Sequence, residues 1–214
     1  MIRGGRKHTL AQRDPEQHVR GCKLAGAFVY VLPCRHEDIL KVGFSRDPLV
    51  RMQTLHPRYF EFFDLDRVLL VGTETVVDAR TLEGQLFQVA DLHGAPAPLL
   101  VCAAAGGHTE WYRGAYRLLR EAVVQHATTA GFALHAPAGP WLRTRLAGEA
   151  ALLFEQSTQI LRAIQCARAY GQSATALEIR LHNLLDAYAA LDLEVEHRVP
   201  PAVLAWHRLG GARA

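Results

Sequence analysis

Four side chains whose types suit phosphodiester hydrolysis follow one another along the first half of the chain: Tyr30, Lys41, Arg51 and Glu83. That reaction needs a nucleophile made from water, neutralisation of charge at phosphorus, and help for the departing oxygen. A tyrosine hydroxyl is a weak base at its ordinary pKa of about 10, but a neighbouring cation favours phenolate, so Tyr30 is the candidate base and Lys41 its helper. Arg51 carries a planar fork of donors that fits a pair of phosphate oxygens. Glu83 is the candidate metal ligand, because Mg²⁺ (or Mn²⁺) uses one or two protein carboxylates and keeps several waters, leaving positions for a phosphate. Taken singly, each residue has a plainer reading as a core tyrosine, a solvated edge lysine or a salt-bridged ion. Their joint order favours the chemistry.

Three further residues fall on the substrate side. Arg46, just before the Arg51 segment, offers a phosphate contact. His56, five residues after Arg51, suits either protonation of a leaving oxygen or a DNA contact, with a helix-end histidine as the alternative. Trp111 and its neighbour Tyr112 carry rings on which a base stacks, with core packing as the alternative.

The elements that must position these groups read as follows. Ala27 to Leu32 and Ile39 to Phe44 are short apolar runs on either side of a polar segment, which suits adjacent antiparallel strands. Asp47-Pro48 is a helix-start signal, because Asp accepts from a free backbone N–H and Pro at the first helical position loses none. Val68 to Gly72 is a third strand, and Thr75 to about Asp91 a helix with Ala79, Leu82, Leu86, Val89 and Ala90 on one face. Further on, Leu142, Leu146, Leu153, Phe154, Ile160, Leu161 and Ile164 keep helical spacing over about seven turns. Leu177, Leu181, Leu184, Leu185, Tyr188 and Leu191 do so again, with Thr175 and Glu178 spaced as a capping box.

The fold class expected from this pattern is mixed α/β: a small three-stranded antiparallel sheet with flanking helices, followed by a C-terminal helical hairpin. Three segments are expected. Residues 1–25 form a flexible basic arm, 26–116 the domain that holds the chemistry, and 117–214 a helical region.

Phe28-Val29-Tyr30 and, about ten residues on, Lys41-Val42-Gly43, followed by Arg51, by Glu83 on a later helix and by Glu110-Trp111-Tyr112, resemble the GIY-YIG nuclease superfamily. The resemblance covers about residues 27–115. The second tripeptide begins with Lys41 where the family name implies Tyr, as in a branch common among phage-related proteins. The late Asn of some homing-type relatives has no counterpart, since Asn183 is the only Asn and lies far outside this region. Here His108 or Glu110 stands as a replacement, with plain loop residues as the alternative. The resemblance implies a DNA endonuclease or nickase using Mg²⁺ or Mn²⁺, in a mobile-element or phage-defence setting, with the helical region serving substrate choice, a homodimer contact or a protein partner. A catalytically inactive nucleic-acid-binding or protein-interaction module on the same fold is the alternative.

Bulk properties are compatible with this. The chain has 214 residues, is 50% hydrophobic and carries a net charge of +3. Its basic residues concentrate at the N-terminus, where a basic arm adds phosphate contacts, with a solvated disordered terminus as the alternative. Cys22, Cys34, Cys102 and Cys166 are scattered, so reduced thiols and a cytoplasmic location are expected rather than a disulfide framework or a zinc knuckle. No apolar run reaches the roughly 18–20 residues of a membrane span, and no membrane partner is expected.

Overall fold

Ala27–Pro33 (β1) and Ile39–Ser45 (β2) send alternate side chains into two separate cores, as strands do when helices cover both faces of a sheet. Tyr30, Leu32 and Ile39 point to one face; Val29, Val31, Leu40 and Val42 point to the other. The computed structural model describes residues 26–101, 105 and 107–210, so the expected arm at 1–25 lies outside the described residues. Leu69–Thr73 (β3) pairs antiparallel with the free side of β1, which places the three expected strands side by side.

The sheet is larger than the three strands expected. Gly94–Ala95 (β4) and Trp111–Arg113 (β5) extend it beyond β2, and Ala133–His135 (β6) extends it beyond β3. The order is β4-β5-β2-β1-β3-β6, antiparallel throughout. Strands of two or three residues are too short to show an alternation, which is why pattern reading passes over them.

Pro48–Leu55 (α1) begins where the sequence signals it: Asp47 is the N-cap, and its Oδ1 accepts from Val50 N at 3.1 Å. Tyr59–Phe62 (α2) follows as a single turn. Val76–Val89 (α3) opens with a capping box in which Thr75 and Asp78 each accept from the other's backbone N–H at 3.1 Å. Ala79, Leu82, Leu86 and Ala90 are buried against the sheet, but Val89, expected on that face, is exposed at the helix end. Tyr116–Ala130 (α4) packs beside α3 on the same core through Leu119, Val123 and Ala127.

The long apolar stripe of the second half is not one helix. Gly139–Ala147 (α5) and Ala150–Ala169 (α6) are separated at Gly148, a poor helix former, and the change of direction leaves Phe154 half exposed instead of inside the stripe. Thr175–Ala189 (α7) forms the expected hairpin with α6, and Pro201–Arg208 (α8) closes over it. The capping box at Thr175 is not formed: Ala174 is the N-cap, and Glu178 reaches across the hairpin to Arg168 at 2.8 Å. An ion pair between helices has taken the side chain that the local motif required.

α5 to α8 bury their stripes against the sheet face that carries Tyr30, through one continuous core that includes Leu49, Met52, Phe63, Leu142, Leu153, Leu181 and Trp206. Their apolar faces are covered within the chain. Polar ties cross the same boundary: Arg145 bonds the N-cap carboxylate of Asp47 at 3.0 Å, and Arg58 bonds Asn183 at 2.9 Å and Asp186 at 3.0 Å. The boundary expected at 116/117 therefore falls inside a packed unit, with α4 and β6 on its far side completing the sheet layer. Among the described residues, no helix is long and apolar enough to cross a membrane.

Candidate active site

Strand register brings the first two residues together. Tyr30 lies opposite Gly43 on β2, and Lys41 sits two positions along the same face, a diagonal neighbour within reach of a long side chain. The hydroxyl end of the Tyr30 ring lies against Gly43, where an added Cβ would approach ring carbon Cζ to 2.7 Å. Glycine is required there because the ring occupies the space of a side chain. Gly43→Ala should displace Tyr30 and cost about 1–3 kcal/mol as an overpacked site, read by denaturant unfolding. An alanine variant of unchanged stability would show that the ring moves freely.

Arg51 comes to Tyr30 from α1. Its Nε donates to the Tyr30 hydroxyl at 3.5 Å, and Nη1 donates to the Ala105 carbonyl at 2.7 Å. Nη2 borders Gly107, since a Cβ on that glycine would stand 3.4 Å from Nη2 and 3.8 Å from Lys41 Cε. Gly107 thus packs over both cations, and no motif in the sequence marks it.

Lys41 is fully buried. Its ammonium donates to the Thr109 carbonyl at 2.9 Å and to Glu110 Oε2 at 3.3 Å, and it lies 5.5 Å from the centre of the Trp111 ring. Burial is the main force holding the Lys41 pKa below its ordinary 10.5, and Arg51 pushes the same way, while Glu110 opposes. Neutral amine is correspondingly easier to form here than on a surface lysine.

Tyr30 departs from the expectation that cations would favour its phenolate. Burial raises its pKa above 10, outweighing the opposing hydrogen bond and charge of Arg51, with Glu110 and Glu83 adding to the rise. Arg51, not Lys41, is the cation that acts on it. The hydroxyl therefore holds its proton at neutral pH.

Glu83 reaches the site from the opposite layer, at the outer edge of β2. β5 pairs with β2 only as far as Lys41, and beyond it the edge is completed by other acceptors: the Glu110 carbonyl takes Val42 N at 3.1 Å, and the Glu83 carboxylate takes the Phe44 backbone N–H. Half-buried, Glu83 has a raised pKa, first through desolvation and next through the charge of Glu110, with Lys41 opposing. Glu83 and Glu110 are the two carboxylates of the cluster that could hold a hard divalent ion. Among the described residues, no group of three or more His, Cys, Asp and Glu gathers anywhere, so an ion here would keep several waters.

Glu110 is the residue whose importance the sequence understated. It pairs with Lys41, acts on Tyr30 and Glu83, and has a backbone φ of 66°, a left-handed conformation that a non-glycine residue holds only when its surroundings impose it. Its place before Trp111-Tyr112 was the available signal. The chain matches no protein-family model, no curated protein and no solved structure.

Of the three residues expected on the substrate side, Arg46 and His56 are not gathered with this cluster, and Trp111 joins it from the core. Trp111 is buried, with its indole N–H on the Gly107 carbonyl at 2.6 Å, so its ring supports Lys41 from the core. His56 caps the end of α1, accepts from Arg58 N at 3.1 Å and stacks on Phe62; burial lowers its pKa. Arg46 is exposed just before α1.

Proposed function

We propose that this chain is a metal-dependent nuclease that hydrolyses DNA phosphodiesters, as an endonuclease or nickase of GIY-YIG type working in the cytoplasm. One observation carries the reading: Tyr30, Lys41, Arg51 and Glu83, which lie on four different elements, form one electrostatic cluster at the β2 edge of the sheet. A fold that needed only stability has little reason to bury a lysine beside a buried tyrosine hydroxyl and a desolvated carboxylate.

In this reading Arg51 donates to a non-bridging phosphate oxygen through the side of its guanidinium that Ala105 leaves free. Tyr30 takes the proton of the attacking water. It must first lose its own, and the neutral amine of Lys41, its diagonal neighbour on β2, would take that proton through a bridging water. Glu83, with Glu110 beside it, would hold Mg²⁺ or Mn²⁺, which when bound supplies charge neutralisation at the phosphate and polarises water. Glu110 also fixes the Lys41 amine.

Two outcomes follow for this chemistry. Arg51→Lys keeps the charge and loses the fork, so cleavage should fall by about 10²–10³-fold while DNA affinity changes little; equal cleavage by the lysine variant would remove Arg51 from the phosphate. The pH profile has a definite sign. Glu83 must be ionised to hold the ion and its pKa is raised above 4.5, while Lys41 must be neutral and its pKa is lowered below 10.5. Single-turnover cleavage should therefore rise with pH between roughly 6 and 9. A flat or falling profile would contradict both assignments.

The reading is tested by incubating the purified chain with duplex, single-stranded and branched DNA in Mg²⁺ or Mn²⁺, with and without chelator. Cleavage that the chelator abolishes supports it. Binding without cleavage on every form selects the second reading, a non-catalytic nucleic-acid-binding module. That reading is favoured by the satisfaction of Lys41 and of one arm of Arg51 within the chain itself.

A further inference from the structure

A cavity of about 470 Å³ opens between the α1–α2 corner and the α5–α7 helices, away from the residues placed in the hydrolytic site. Its floor is apolar and buried: Leu146, Ile160 and Ala187 line it, with the ring of Tyr188. In that floor lies the hydroxyl of Tyr59, a residue only 2% exposed, with no hydrogen-bond partner. Gln53 on α1 stands close enough to act on that hydroxyl and slightly oppose the rise of its pKa, but lies outside hydrogen-bond geometry. A buried hydroxyl left unsatisfied costs the fold roughly 1–3 kcal/mol, and such groups persist where a ligand completes them.

The rim has a different character. Three neutral amides, Gln53, Gln156 and Asn183, stand around it, each able to offer a donor beside an acceptor. Asn183 already accepts from Arg58 through Oδ1, which turns its NH₂ group into the free function. Arg180 lies at the exposed edge, its guanidinium unpaired among the described residues. Glu149 is the charge that acts on Tyr59 through the wall, and Arg58 adjoins the rim at Asn183. Arg58 is occupied by Glu61 and Asp186, and Glu149 by Arg145.

An apolar slot lined by aromatic and aliphatic groups takes a flat ring; amides read the polar edge of a heteroaromatic base; a free guanidinium at the mouth takes an anion. We propose that this cavity binds a single nucleotide, with its base in the slot, an acceptor atom of the base on the Tyr59 hydroxyl, and its phosphate on Arg180. Burial holds the Tyr59 proton firmly in place, so the hydroxyl serves as a donor at any physiological pH. The site does not depend on the nuclease reading. Its ligand is either a free mononucleotide or the terminal nucleotide of a strand.

The test is calorimetric titration of the full chain with AMP, GMP, CMP and UMP, with inorganic phosphate and the parent nucleosides as comparisons, and with short DNA and RNA strands bearing a terminal phosphate. At least one mononucleotide should bind with Kd in the μM to mM range, and more tightly than its nucleoside. Tyr59→Phe supplies a readout that a purely structural role would not give: the ligand-free chain should unfold at the same or a higher temperature, while affinity falls about tenfold. Ala176→Trp, which fills the slot from an exposed lining position, should abolish binding without lowering stability. Tighter binding of a strand than of its free nucleotide assigns the cavity to strand ends, and the reverse assigns it to free nucleotide. Absence of binding by every probe up to about 10 mM, or binding that neither variant changes, overturns the proposal.

Discussion

Glu83→Gln should leave the chain folded and lower metal-dependent DNA cleavage by about 10²–10³-fold, the loss typical when charge stabilisation is removed from a transition state. The amide has the size of the carboxylate, and its oxygen can still accept the Phe44 N–H at the open edge of β2. The charge that holds a divalent ion is lost. Folding should gain slightly or stay level. Because the Glu83 pKa is raised, its ionised form is disfavoured in the folded chain at neutral pH, and the amide removes that cost. Thermal unfolding and single-turnover cleavage at saturating Mn²⁺ read the two effects separately. Parent-like cleavage by the Gln variant would take Glu83 out of the metal role.

A chain ending at Arg117 should fail to fold cooperatively. Tyr30, Lys41, Arg51 and Glu83 all lie before Gly106, so a truncated first half would keep its chemistry if it folded by itself. The packing says otherwise. Removing α4 uncovers Val29, Val31, Leu69 and Val71, and removing β6 strips the outer edge of β3. Loss of α5 to α8 exposes Leu49, Met52, Leu55 and Phe63 on the opposite face. With each large apolar side chain worth about 1.5–3 kcal/mol when buried, a handful of such losses exceeds the roughly 5–15 kcal/mol that holds a domain together. Circular dichroism through a denaturant titration measures this. A sigmoidal transition in the truncated chain would show that the first half is a domain after all.

The centre of the fold was legible because it obeys local rules. Pro33 and the polar loop after it delimit β1 and β2, Asp47-Pro48 starts α1, and the apolar positions of α3 repeat at helical spacing. What escaped was decided at long range. β4, β5 and β6 exist because the edges of β2 and β3 need partners, and nothing in Gly94-Ala95 or Ala133-Leu134-His135 announces that need. Glu178 satisfies its capping spacing yet pairs with Arg168, a choice visible only once α6 and α7 lie side by side. The same holds for the site. The residues that converge stand out in the sequence by type and order, whereas the protonation expected of Tyr30 is reversed by a burial that no spacing encodes. Trp111 met the description of a stacking platform, but its register opposite Lys41 turned it inward.

The central claim is that Tyr30 sits in a cluster built to activate water, and the hydroxyl of that residue is the smallest group whose removal tests it. Tyr30→Phe keeps the ring over Gly43 and the packing of the core, and removes only the oxygen that faces Arg51 Nε. The direct measurement is the single-turnover cleavage rate of parent and variant on one DNA substrate in Mn²⁺, at protein concentrations that saturate binding in both. The account predicts equal DNA affinity, unchanged thermal stability and a rate lower by about 10²–10⁴-fold, as expected for loss of a group that moves a proton. A phenylalanine variant that binds equally and cleaves at the parent rate would contradict it.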